Sequence, residues 1–219
     1  MTTYTNSGLV LSMESVRATG VAVTGATVAA PGVFTSTAHG YSNGDIILVE
    51  STGMLQLNER LFVIVNKADN TFQLKDTQTG STGVSTIGYG ILSTMTCYKL
   101  TLGTTLNGVQ DFSATGGEIK FLPTTTVSDT VDTQIINGAT AMAYNLQMQW
   151  DPSDAAQILM LGAFERREEK GFRITWPNGR YALFYGSIGY SGMPGGGNQG
   201  VTTASAAVAM SGIPTYGIP

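Results

Sequence analysis

An Asn-Gly turn set between two aromatic runs constrains this chain more than any other feature. Phe172, Ile174 and Trp176 alternate with Arg173 and Thr175; Pro177-Asn178-Gly179 follows; Tyr181, Leu183 and Tyr185 resume the period. Residues two apart share one face of a strand. Asn-Gly readily takes the positive φ angles of a tight hairpin turn. The stretch therefore reads as a β-hairpin with a buried face. An earlier run obeys the same rule: Met142, Tyr144, Leu146, Met148 and Trp150 alternate with Ala143, Asn145, Gln147 and Gln149. Residues 97–102 and 118–122 read as short strands. Residues 201–210 (VTTASAAVAM) read as a strand of small side chains that can pack closely against a neighbour. The expected fold class is mainly β.

One helix is expected within it. Asp151 is placed as the N-cap, Pro152 at the first helical position and Asp154 three residues after the cap, an arrangement that answers free N–H groups and the helix dipole. Ala155, Ile158, Leu159 and Gly162 fall on one face at helical spacing and are expected to pack on a β-sandwich. Lys170 and Gly171 are read as the stop.

Residues 20–95 have a different texture, with short strands and tight turns such as Ser42-Asn43-Gly44-Asp45 and Ala68-Asp69-Asn70. Phe34, Ile46, Leu48, Phe62, Ile64, Phe72 and Leu74 supply a small apolar core. The expected organisation is a main β-sandwich from residues 1–19 and 96–219, with 20–95 as an inserted small β domain.

Charged residues are only 12% of the 219, and Gly (28 residues) with many Thr and Ser takes their place. Depletion of charge marks the buried centre of subunit interfaces; a secreted-style β protein is the plainer reading. The net charge of −4 carries no basic stripe, and a protein that grips nucleic acid needs one. The one basic cluster, Arg166, Arg167 and Lys170, is interleaved with Glu165, Glu168 and Glu169. Cys97 is the sole cysteine, so neither an internal disulfide nor a cysteine-based zinc site is expected. No apolar run approaches the roughly 20 residues that span a bilayer, and Met1 to Asn6 has no signal-peptide pattern. A soluble product made in the cytoplasm, without membrane contact, is expected.

Catalytic and cofactor motifs are weak. His39, the only histidine, lies in a His-Gly-Tyr turn with no nucleophile or orienting group beside it in sequence. Gly189-Tyr190-Ser191-Gly192 does not complete a nucleophile elbow. Gly195 to Gly200 fits G-x-G-x-x-G but precedes a strand, where the dinucleotide fingerprint needs a helix. Asp45, Asp69 and Asp76 read as turn residues, and Trp150 and Trp176 as members of apolar strand faces. No enzyme activity and no cofactor are expected. The polar segment Pro123 to Gly138 is either a surface loop or a contact loop.

MAYNLQMQWDPSDAAQILMLGAF, FRITWPNGRYALFYGSIGYSG and GNQGVTTASAAVAMSGIPTY follow one another as strand, capped helix, hairpin, Gly-rich loop and closing strand. In that order the chain resembles the tail tube proteins of long-tailed, non-contractile bacteriophages. Phe34 to Asp76, with Ala38-His39-Gly40-Tyr41-Ser42-Asn43-Gly44-Asp45 and Asn70-Thr71-Phe72-Gln73-Leu74, resembles a small β module of phage structural proteins. The first resemblance implies a virion protein made in the host cytoplasm, self-assembling into stacked hexameric rings. Its tube would enclose the tape-measure protein, meet tail terminator and distal tail proteins, and pass DNA without specific binding. A DNA conduit should keep basic residues off its wall, because each neutralised phosphate adds affinity. Asp111, Asp129 and Asp132, acids without a near basic neighbour, are the candidate lumen residues. The alternative is an adhesin-like β-sandwich on a virion or cell surface.

Overall fold

The computed structural model describes residues 8–75, 83–126, 130–197 and 200–218. It is mainly β: two antiparallel sheets, a two-stranded ribbon and one α-helix. The first sheet runs in the order β10 (Thr104–Thr105), β1 (Val10–Met13), β15 (Glu169–Thr175), β16 (Tyr181–Tyr190), β17 (Thr203–Met210), β14 (Ala143–Gln149) and β11 (Val109–Thr115). A last strand, β18 (Thr215–Gly217), also pairs with β16. The second sheet runs β2 (Val16–Arg17), β9 (Thr94–Thr101), β6 (Ile46–Thr52), β7 (Arg60–Val65), β8 (Thr71–Leu74), β5 (Phe34–Thr35) and β4 (Gly25–Ala26), with β3 (Val21–Val23) also on β9. The ribbon is β12 (Ile119–Pro123) with β13 (Gln134–Ala139).

The Asn-Gly turn joins β15 to β16, with Trp176 N–H donating to the Arg180 carbonyl and Ile174 opposite Ala182; Leu183 and Tyr185 therefore fall on the side away from Phe172 and Ile174, a correction to the single alternating face. In β14, Tyr144, Leu146 and Met148 are buried while Asn145, Gln147 and Gln149 are exposed. β17 lies between β14 and β16 and turns Ala204, Ala206 and Val208 into the core. Those short side chains let Tyr144 and Phe184 meet across the strand, 5.3 Å between ring centroids. Gly186 is required at the β16–β17 pair, because a Cβ there would strike the Ala209 carbonyl oxygen.

β16 is buried on both sides. Ala182 and Phe184 belong to the first core, while Leu183 and Tyr185 join Leu48, Leu61 and Leu100 of the second sheet. The two sheets thus meet through an apolar seam. The second sheet has its own core around Phe34, Ile47, Phe62, Ile64 and Phe72. Its strands extend past 20–95 on both sides, through β2 and through β9, which straddles residue 95.

The helix α1 (Ala155–Arg166) corrects three expectations. Its cap is Asp154, whose carboxylate accepts from the N–H groups of Ala156 and Gln157; Asp151 instead accepts from Ser153, three residues upstream. The buried face is Ala156, Gln157, Met160 and Ala163, with Leu159 partly buried. Among the expected face residues, Ala155 and Ile158 are exposed and Gly162 is intermediate. The helix is apolar almost all round, so its period does not select a face. It ends at Arg167 in the left-handed region (φ 54°), and Lys170 and Gly171 lie in β15. Asp154→Ala should therefore cost about 0.5–2 kcal/mol, and Ile158→Ala in the free protomer no more than about 0.5 kcal/mol. Thermal unfolding of the two variants checks both.

Candidate functional site

The outward side of β16, β17, β14 and β11 is a polar sheet face. Asp111 opposes Gln147, which opposes Ser205; Ser113 opposes Asn145, which opposes Ala207, beside Gly189. Together these residues floor a shallow hollow of about 580 Å³. Among the described residues Asp111 is the only charged one lining it, and its carboxylate accepts the N–H of Phe112 at 2.8 Å. Asp132 lies elsewhere, exposed beyond the far end of the ribbon, where Thr125 donates to it at 3.4 Å. The structure does not bring these two acids together. Asp129 lies outside the described residues.

β11 is an edge strand, paired with β14 alone among the described residues. An unpaired edge is a template for another strand. Directly after it the chain turns at Gly116 and Gly117, both at positive φ (84° and 81°); a Cβ on Gly116 would strike the Ala141 carbonyl oxygen. The ribbon follows. Every residue of β12 and β13 is exposed. Phe121 (58% exposed) pairs with Ile136 (68%), and Leu122 (46%) with Ile135 (53%). Adjacent pairs point to opposite sides, so both faces of the ribbon are apolar. The segment expected as loop from 123 to 138 thus opens and closes in strand, at Pro123 and from Gln134 on.

A second exposed apolar surface runs along α1. Ile158, Leu161 and Phe164 follow one another at three-residue spacing, all exposed. Phe164 borders the sheet-face hollow, and Leu161 lies against Gly192 next to the exposed Met193. The spacing was visible in the sequence; its outward direction was not.

The remaining candidates are structural. Tyr41 N–H donates to His39 Nδ1 at 3.0 Å, so His39 Nε2 carries the proton and donates to the Ala68 carbonyl at 2.9 Å. Both ring nitrogens are occupied in holding a turn. Asp45 accepts from Ser42 N–H and pairs with Lys99 at 2.9 Å. Asp69 is exposed at a bend, and Asp76 lies outside the described residues. Trp176 packs on the first core, whereas Trp150, expected on an apolar strand face, is exposed. Gly195 bridges to Thr203, and residues 198–199 of the glycine-rich loop lie outside the described residues. At the seam, Glu14 is buried, accepting from Gly171 N–H (2.8 Å) and from Arg17 Nε (2.9 Å). Arg17 also donates to Tyr185, whose hydroxyl burial pushes up to about 12 against the pull of that guanidinium.

Residues 52–218 match the family model described as phage tail tube protein, TTP. The match starts at the end of β6 and so takes in parts of both sheets. No curated protein matches the chain.

Proposed function

The chain belongs to the phage tail tube protein family, a structural, non-enzymatic component of the virion tail that assembles with its own copies into a tube, and we propose that its rings are hexameric and stack around a bore faced by the β16–β17–β14–β11 surface. The observation that carries this reading is the character of that surface. Its opposed outward positions are Ser, Asn, Gln, Ala and Gly with, among the described residues, one carboxylate, Asp111, and it ends at the unpaired edge of β11. Pairing of β11 with a neighbouring copy would continue the sheet from subunit to subunit. The resulting wall offers hydroxyls and amides, and Asp111 repeats around it. Such a wall repels phosphates weakly and binds none, which suits DNA passage and enclosure of the tape-measure protein. Tail terminator and distal tail proteins would contact the end rings.

Electron cryomicroscopy of tubes assembled from the purified protein tests the reading. The expected result is six-fold rings with β11 at the subunit seam and Asp111 in the bore. A bore lined by the second sheet, or a basic one, would overturn it. Asp111→Lys supplies a functional check. A ring of added cations should make the tube retain duplex DNA at about 50 mM salt and release it by about 200 mM, because affinity falls steeply with the number of phosphate contacts. Wild-type tubes should retain none at either salt, as measured by co-sedimentation.

A further inference from the structure

We propose that Asn137 is a site of self-modification, where the Gly138 backbone nitrogen attacks the Asn137 carboxamide and converts it to aspartate and isoaspartate. The proposal goes beyond the tube reading and does not depend on it. The chain has four Asn-Gly pairs, at 43–44, 107–108, 137–138 and 178–179. Glycine after asparagine leaves the attacking nitrogen unshielded and the backbone free to bend toward the side chain. The fold restrains three of the four pairs. Asn43 Oδ1 accepts the Lys67 N–H at 2.9 Å, and the Gly44 N–H donates to the Ile64 carbonyl. Asn178 Oδ1 accepts the Arg180 N–H at 3.1 Å, and the Gly179 N–H donates to the Trp176 carbonyl. Asn107 Nδ2 donates to the Asp154 carboxylate at 3.0 Å, which ties down the leaving nitrogen.

Asn137 has none of these restraints. It is exposed, and its carboxamide has no hydrogen-bond partner among the described residues. The pair lies at a β-bulge of the ribbon. Ile119 opposes Ala139 and Phe121 opposes Ile136, so Asn137 and Gly138 together face Lys120. A bulge interrupts the ladder and leaves a residue unpaired. Gly138 stands at φ 81°, and no other part of the chain comes within 4 Å of the place a Cβ would take, so nothing crowds the ring that forms. In the first step the bond from Gly138 N to Asn137 Cγ forms and the Cγ–Nδ2 bond breaks. Ammonia leaves, taking the amide proton of Gly138, and a cyclic imide remains. Water then adds to one of the two imide carbonyls. Opening at Cγ gives aspartate; opening at the backbone carbonyl gives isoaspartate. Either product sets a carboxylate opposite Lys120. Isoaspartate also lengthens the backbone, which a strand already bulged at that point accommodates. The ribbon of each copy therefore gains negative charge as the protein ages.

Peptide mapping by mass spectrometry tests this on the purified full-length protein, aged in native buffer and, in parallel, in denaturant. Each conversion is read as the mass gain of an amide replaced by an acid, and an isoaspartyl methyltransferase labels the isoaspartate product. In native buffer the peptide carrying Asn137 should convert severalfold faster than those carrying Asn43, Asn107 and Asn178. In denaturant, where the fold restrains none of them, the four should convert at comparable rates. Asn137→Gln, whose longer side chain would have to close a larger ring, should lose most of the methyltransferase labelling of the aged native protein. Equal rates at the four pairs in the native protein, or faster conversion at any other pair, would overturn the proposal. So would an Asn137 that stays intact in native buffer while the denatured chain converts, or labelling that persists in Asn137→Gln.

Discussion

Replacing Arg17 by Ala is expected to cost about 3 kcal/mol of folding stability, a larger loss than truncation of most core methyl groups. Glu14 is 1% exposed and sits at the apolar seam between the sheets. Its carboxylate has two supports, Gly171 N–H and the Arg17 guanidinium. Removing one partner of a buried pair strands the other charge, at roughly 3–5 kcal/mol. Arg17 keeps 30% of its side chain in contact with solvent, so water can partly replace it, and the lower end applies. The guanidinium also donates to the Glu169 carbonyl and the Tyr185 hydroxyl, linking β2 to β15 and β16. Glu14→Gln is the informative partner variant. Its amide oxygen can still accept from Gly171 N–H and no charge is left buried, so the expected loss is about 1 kcal/mol. Denaturant midpoints of the two variants should separate clearly. Equal small losses would mean that the Glu14 carboxylate is hydrated after all.

What the sequence made legible follows from how many partners each segment has. β14 and β15 each present one side to the first core, so Tyr144, Leu146 and Met148, or Phe172 and Ile174, alternate cleanly and announce both strand and face. β16 has a partner on each side, and its near-continuous run of buried residues hides the period. The helix boundary was ambiguous for a local reason. Asp151 and Asp154 both satisfy capping chemistry, and both do accept backbone N–H groups; only the second opens the helix. Lys170 and Gly171 resemble a helix stop in sequence, but their pairing with Gly186 and Tyr185 makes them strand. The ribbon shows the firmest limit. Ile119, Phe121 and Leu122 read as an ordinary short strand, but a sequence pattern says that a face is apolar and not whose surface covers it. For the same reason the polar side of β14 is legible as solvent-facing, while β11 carries no strand pattern of its own, and membership of a tube-forming family comes from the family match.

The second large effect is expected at Phe72, and it bears on how the two sheets share stability. Phe72 is fully buried at the centre of the second core, stacked on Phe34 at 5.8 Å and in edge contact with His39 at 5.3 Å and Tyr41 at 5.5 Å. Phe72→Ala removes a ring from a site walled by other rings, which collapse poorly, so a loss of about 3–5 kcal/mol is expected. Where that loss appears tests the proposal that residues 20–95 form a unit inserted in the main domain. If they do, hydrogen exchange should accelerate together across β6, β7 and β8 while β14 and β17 keep their protection, since cooperative units open separately. The seam opposes such independence: Leu48 and Leu61 pack on Leu183 and Tyr185, and Lys75 reaches the Ile218 carbonyl beside β18. An opening second sheet would uncover the outer side of β16, so protection of Leu183 and Tyr185 should fall partway. Equal loss through both sheets would make the protein one cooperative body. The seam, and not the boundary at 95, would then be the feature that holds the sheets together.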